Sequence, residues 1–337
     1  MLSNTAQMSR LMRGLACLEL SDIMGLERKN RIDDQEVSSL PGEKNYDCII
    51  IGAGPGGLQA AIYLGRFNRK VLIVDRGGGR TSHARYIENF LTQTVISGSE
   101  IIRLGMEQAK SFNVEIQKGL VTRVLKPGLF EVYEGDMKYL SKFVLVSSGG
   151  TENLPPIENL HKFFATSIFT CIDCDGYRTT GKKLIVIGNS LKTVHLAFGM
   201  KDMYTKDITL VLYTDKIPEE YKAELEAEGI SFFIGRPARI IGEERLEALE
   251  MQDGKRIPCE VILSHFGYKL NDGFLSDLNL KRDGDNFKFI TSRNYESSLS
   301  GLYIVGPLTG DDQVVIAAGE GAIAAIDMKK RLLEMNA

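Results

Sequence analysis

Asp47-Cys48-Ile49-Ile50-Ile51-Gly52-Ala53-Gly54-Pro55-Gly56-Gly57 decides how this chain folds. Its first five residues form a continuous apolar run of the kind buried on both faces of a parallel sheet. The glycines then impose a tight turn, Gly56–Phe67 reads as a helix, and Val71–Asp75 reads as a second strand. A glycine signature alone is weak. Here it follows a buried strand, opens a helix, and is answered by Asp75, 23 residues after Gly52 at the tip of the next strand. Such a βαβ unit lets a pyrophosphate reach the helix N-terminus and places a carboxylate to accept from a ribose hydroxyl.

A near copy follows 136 residues later: strand Lys183–Ile187, Gly188, helix Ser190–Met203, strand Ile208–Leu212. Its details differ. Asn189-Ser190-Leu191-Lys192-Thr193 stand where glycine, two variable residues and a small residue belong. Ser190 puts a Cβ where a pyrophosphate approaches the backbone, and Thr193 crowds the helix–strand contact. The strand tip Leu212-Tyr213-Thr214 offers neither a guanidinium fork for a 2′-phosphate nor a carboxylate for a 2′-hydroxyl, with Asp215 just beyond. The second unit therefore reads as a nucleotide fold that no longer takes NADPH in the usual way.

The last strand, Leu302–Gly306, leads into a long helix from about Gln313 to Met335 and suits the first unit. The expected fold is thus α/β, with two Rossmann-like βαβ domains and the second inserted in the first. The expected boundaries are 1–45 for an N-terminal extension with one short helix around Ser9–Met24, 46–153 and 268–337 for the first domain, and 154–267 for the insert. Glycine and proline breaks at Gly149–Pro156 and near Phe266–Leu270 mark the hinges.

Between the two glycine signals lies Cys171-Ile172-Asp173-Cys174-Asp175-Gly176. The pair has three readings. Zinc needs two more ligands in matching spacing, and His161 and His195 are not so arranged. Unreactive packing is the second reading. The third is redox: two cysteines so spaced can close a readily reduced ring, a thiol placed near a helix N-terminus would have a lowered pKa, and Asp175 can move protons. Cys17, Cys48 and Cys259 have no partner in sequence, and Cys48 belongs to a buried strand.

Composition sets the remaining bounds. The 337 residues are 43% hydrophobic and 25% charged, as expected of a globular chain of about two domains. A net charge of −3 gives no electrostatic reason for a nucleic-acid partner, and no apolar run reaches the roughly 18 residues of a membrane span. Five scattered cysteines do not make a secreted disulfide framework, so the cytoplasm is the expected location.

From about residue 46 to 330 the chain resembles the low-molecular-weight thioredoxin reductases, FAD-dependent disulfide oxidoreductases. The resemblance is carried by Gly52–Gly57, the Gly77–Asn89 segment ending Ile87-Glu88-Asn89-Phe90, Cys171–Gly176, and Gln313 through Ala324. It implies a homodimer and domain rotation during turnover. It makes Cys174 the cysteine that meets the flavin, Cys171 the one that exchanges with substrate, and Asp175 the proton donor and acceptor. Candidate FAD contacts are Gly52, Gly54, Pro55, Gly56, Gly57, Asp75, Arg76, Arg80, Asn89, Gly149, Gly306, Gln313 and Val314. Backbone N–H groups opening the last helix could face the flavin, although a plain small-residue helix also explains its alanines and glycines. Two departures stand out: the altered second glycine turn, and Gly306-Pro307 where the family has Gly-Asp, with Asp311 or Asp312 as substitutes.

The expected function is a flavin disulfide oxidoreductase that does not use NADPH, resembling the cyanobacterial diflavin-linked enzymes. Its substrate would be a disulfide-containing protein or small molecule, and its donor a one-electron protein such as ferredoxin. A second FAD could sit near Tyr213 and Lys192. The rival readings are a dithiol oxidase passing electrons to oxygen and a redox-sensing flavoprotein without turnover.

Overall fold

The computed structural model describes residues 44–214, 217–284 and 287–335. The extension, its helix around Ser9–Met24, Cys17 and Asp215 lie outside the described residues. The first strand starts at Lys44, three residues before the apolar run, because Lys44, Asn45 and Tyr46 pair with Tyr139, Leu140 and Ser141.

The first sheet has seven strands. Glu115–Lys118, Val71–Asp75, Lys44–Ile51 and Met137–Val146 lie side by side and parallel. The far edge of Met137–Val146 is shared: Phe130–Glu134 pairs antiparallel along its first half, and Leu302–Ile304 pairs parallel along its second. The last strand has thus returned to the first sheet after an excursion of about 150 residues. Alternation sends Ile50, Ile73 and Leu145 to one face and Ile49, Ile51, Val74, Val144 and Val146 to the other. Both faces are covered, which is why these strands read as unbroken apolar runs.

On the first face lie the helices Pro55–Arg66, Gly98–Ser111 and Val314–Met335. The first and last of these meet backbone to backbone, since a Cβ on Gly321 would lie under 3.0 Å from the Gly56 carbonyl. The C-terminal helix is thereby pressed onto the helix that opens the glycine turn.

The second sheet holds Ser231–Ile234, Ile208–Leu212, Leu184–Gly188, Val261–His265 and Ile168–Phe169, all parallel. Helices Lys192–Met203 and Glu219–Ala227 cover one face. A three-stranded antiparallel sheet, Pro237–Ile241, Ala248–Met251 and Arg256–Pro258, covers the other through Ile240, Leu249, Met251 and Ile257. The chain crosses between the two sheets twice. Both crossings run together as an antiparallel ribbon, Gly150–Glu152 on Tyr268–Leu270. These are the two segments whose glycines and prolines mark hinges in the sequence. Among the described residues, no helix is long and apolar enough to cross a membrane.

Candidate active site

The glycine turn is shaped by its neighbour strand. Gly52 has φ +101°, a left-handed conformation, and a Cβ there would lie under 3.0 Å from the Ser147 carbonyl. Ser147 Oγ accepts from the Gly57 N–H at 2.9 Å. Asp75 braces the turn from the other side, its two oxygens accepting from Ala53 N–H and Gly77 N–H, each at 2.9 Å. An ionised carboxylate keeps further lone pairs, so a ribose hydroxyl can still be accepted there.

This turn opens onto a cavity of about 580 Å³, within the roughly 300–1,000 Å³ usual for ligand sites. Gly52, Gly54, Pro55, Gly56, Asp75, Arg76, Arg80, Gly149, Gly306, Gln313 and Val314 all line it. Gly57 and Asn89 do not: Gly57 packs beneath the turn, and Asn89 lies on an exposed loop outside the cavity. The bare cradle at the start of one helix, the brace at Asp75 and the start of the Val314–Met335 helix on the opposite wall fit a dinucleotide with a flat head group.

Arg80 carries a role that its place after the second strand does not disclose. Its guanidinium pairs with Glu152 at 2.5 Å and Asp312 at 3.0 Å and lies 4.8 Å from the Tyr268 ring. One cation therefore binds both strands of the crossing ribbon to the loop before the last helix. Burial raises the Glu152 pKa, against the pull of Arg80. Asp312, a candidate substitute for the family's missing carboxylate, is thus committed to Arg80. A different carboxylate stands by Gly306: Glu320, 2% exposed, accepts from its N–H. Desolvation pushes Glu320 up to about 7. Nothing in the local sequence signals this pairing.

Cys171 and Cys174 are joined as a disulfide, their Cα atoms 5.3 Å apart, across the single turn Ile172–Asp175. Cys171 Sγ also accepts from the Cys174 N–H at 3.1 Å. Neither cysteine nor Asp175 lines the large cavity. The link is Gln313, a cavity wall residue whose Nε2 donates to Asp173 Oδ2 at 3.4 Å. Beside the disulfide, Arg178 Nε donates to Asp175 Oδ1 at 3.2 Å, and Arg178 Nη2 donates to Glu88 Oε2. Burial raises the Asp175 pKa, Arg178 opposes the rise, and Glu88 adds to it. Cys48 and Cys259 are buried core thiols, the latter pushed up to about 12 by desolvation, and take no part.

The second glycine turn is packed from beneath by a side chain. A Cβ on Gly188 would lie under 3.0 Å from both Thr193 Oγ1 and the His265 carbonyl, and Thr193 Oγ1 is 3.2 Å from His265 Nδ1. The helix begins at Lys192, two residues later than its pattern suggests, because Thr193 and Val194 N–H groups first bond back to Ser190 and Leu191 carbonyls. The crevice above holds about 270 Å³, lined by Pro155, Pro156, Asn189, Tyr213 and Phe266 among others. The strand tip itself bears no guanidinium, but Arg236, arriving from the neighbouring strand's end, lies 5.2 Å from the Tyr213 ring. Adjacency across the sheet supplies the cation that the strand's own sequence lacks.

A profile of the family described as pyridine nucleotide-disulphide oxidoreductase matches residues 46–324. The chain belongs to that family, and within it is a thioredoxin reductase-like flavin disulfide oxidoreductase, with FAD as the family's cofactor. It is 25% identical over 312 residues to thioredoxin reductase from Bacillus subtilis, covering 87% of this chain and 97% of that one. The structure of thioredoxin reductase from Streptococcus pyogenes superposes with a TM-score of 0.79 at 25% identity, covering 86% of this chain and 99% of the other. Lactococcus lactis thioredoxin reductase in its FR conformation has the same identity and coverages but a TM-score of 0.56.

Proposed function

We propose that this protein reduces disulfides through Cys171–Cys174 with electrons held by FAD and drawn from a donor other than NADPH. The observation that carries the site is Gln313, which lines the cofactor cavity and also holds the disulfide turn through Asp173. FAD, when bound, supplies a carrier that accepts electrons singly or in pairs and delivers two. The glycine turn and Asp75 would hold its dinucleotide portion, Gly306, Gln313 and Val314 would line the rest of its cavity, and the proposed domain limits are 46–153 with 268–337 and 154–267.

The protein's own residues account for the exchange. Two electrons and two protons convert the disulfide to two thiols. Cys171 gives its proton to Asp175 and, as thiolate, attacks the substrate disulfide to form a mixed disulfide, expelling one substrate sulfur, which takes that proton back from Asp175. Cys174 then attacks the Cys171 sulfur, releasing the second substrate thiol and restoring the ring. The substrate is a protein or small-molecule disulfide, and the working form is a homodimer.

The donor assignment rests on the altered second turn, where Thr193 occupies the space beneath Gly188. We assign no flavin to the crevice there, since it is less than half the first cavity's volume. Arg236 favours a second reading, in which a nucleotide phosphate is caught by a guanidinium from the adjacent strand. Anaerobic stopped-flow decides between them. A one-electron donor should bleach the flavin and reduce the Cys171–Cys174 pair, while NADPH and NADH should not bleach it within seconds. Rapid bleaching by NADPH that Arg236→Ala abolishes establishes the second reading instead.

A further inference from the structure

Arg178 stands where three features meet. Its guanidinium is shared by two carboxylates, Asp175 in the turn beside the disulfide and Glu88 in the loop of the first unit. It is also flanked by two rings, 5.2 Å from the Tyr177 centroid and 5.3 Å from that of Tyr86. Tyr177 belongs to the disulfide turn, Tyr86 to the facing loop. Arg178 and Asp175 are partly buried, so their mutual field is less screened than at an open surface, while Glu88 reaches Arg178 from the exposed side of the contact.

The geometry points to Arg178 as a positioning residue that ties the proton affinity of Asp175 to docking of the disulfide turn on the Tyr86–Asn89 loop. The argument is one of connectivity. Arg178 and Asp175 are three residues apart and stay together wherever the turn goes. Glu88 and Tyr86 stay with the loop. Any separation of turn from loop breaks the Arg178–Glu88 and Arg178–Tyr86 contacts and leaves the Arg178–Asp175 pair whole.

Docked, two carboxylates compete for one cation, and Glu88 works against the ionised form of Asp175. Separated, Asp175 has the guanidinium to itself and its ionised form is favoured. Docking therefore takes up a proton at Asp175, and by reciprocity a protonated Asp175 frees Arg178 for Glu88 and tightens docking. The charged groups acting on Asp175 are Arg178 from its own turn and Glu88 from the facing loop; Asp173, on the same turn, points its carboxylate to Gln313.

This inference rests on the disulfide-exchange reading, and its test keeps the two apart. The full-length protein is reduced by dithiothreitol from pH 4 to 9, with each rate divided by the dithiothreitol thiolate fraction. If Asp175 supplies a proton, that corrected rate falls as Asp175 ionises, and Asp175→Asn abolishes the fall. No such fall in the unmodified protein overturns the exchange role of Asp175 itself. Arg178→Ala should move the fall to higher pH by about one unit or more, and Glu88→Gln should move it lower. Arg178→Lys keeps the charge but loses the fork, so it should leave the fall nearly in place while raising amide hydrogen exchange in residues 84–91 and 171–178. A fall at unchanged pH in Arg178→Ala, or exchange unaltered in both Arg178 variants, overturns the coupling.

Discussion

The chain contains two glycine turns that begin alike and end differently. At Gly52 the backbone is left-handed and the hydroxyl beneath the helix comes from outside it, Ser147 just past the end of the neighbouring strand, and the turn opens onto the cavity. At Gly188 the backbone is ordinary and the hydroxyl beneath the turn is the helix's own Thr193, which fills the space and bonds His265. The two turns therefore differ in what packs beneath them, a glycine with an outside hydroxyl in one and a threonine side chain in the other. A βαβ unit keeps its sheet because burial of Leu184, Val186 and Leu210 holds it, whatever the turn binds. Fold and ligand are set by different residues in the same thirty-residue unit.

The sharpest way to break this contrast is at the two glycines themselves. Gly52→Ala imposes about 1–2 kcal/mol of left-handed strain and a collision with the Ser147 carbonyl. It should lower the purified flavin-to-protein ratio at least tenfold. Gly188→Ala should reduce thermal stability and leave that ratio unchanged. Full flavin in Gly52→Ala means that the cofactor lies elsewhere.

A smaller effect is expected one layer below the open turn. Gly321→Ala places a methyl group against the Gly56 carbonyl and pushes two helices apart, an overpacking of about 1–3 kcal/mol. The urea midpoint should fall accordingly, and flavin should be retained more weakly because Gly56 lines the cavity. An unchanged midpoint shows that the helices separate without strain.

Glu320 gives the contrast a pH dependence. Its pKa stands at about 7 in the native protein against an ordinary 4.5. The native state therefore holds a proton that the unfolded chain has lost, and stability falls as pH rises from about 4.5 to about 7. Glu320→Gln should remove this slope, gaining on the order of 1–2 kcal/mol over the parent protein at pH 8 and little at pH 4.5. Parallel denaturation curves of the two proteins across that range would falsify the assignment.

The smallest expected change is at the second turn. Thr193→Ala removes one hydrogen bond and should cost about 1 kcal/mol in urea unfolding. Flavin content should not change, since nothing near Thr193 belongs to the first cavity. Loss of flavin on this substitution would tie the second turn to the cofactor and end the contrast.

Much of the architecture was legible because it is written locally. The apolar runs at Asp47–Ile51 and Ile208–Leu212, the glycine spacing at Gly52–Gly57 and the small-residue helix after Gln313 each fit within about thirty residues, the range over which period and turn chemistry act. The return of Leu302–Ile304 to the first sheet was expected because that strand suits the first unit, and the two crossings between sheets fall at the glycine and proline breaks. The altered packing of the second turn was foreshadowed by Thr193.

What the sequence alone determined was therefore two nucleotide-type units, one open turn, one altered turn, and a dithiol between them. What only the tertiary structure decided was who meets whom across the chain. Asp173 finds Gln313 140 residues away and Arg178 finds Glu88 90 residues away. Arg80 spends its charge on Glu152 and Asp312, and Arg236 reaches Tyr213 from a neighbouring strand. Charged side chains carry no periodicity that reveals their partners. Their pairing depends on which surfaces the packed sheets bring together, and that is fixed only when the apolar core closes.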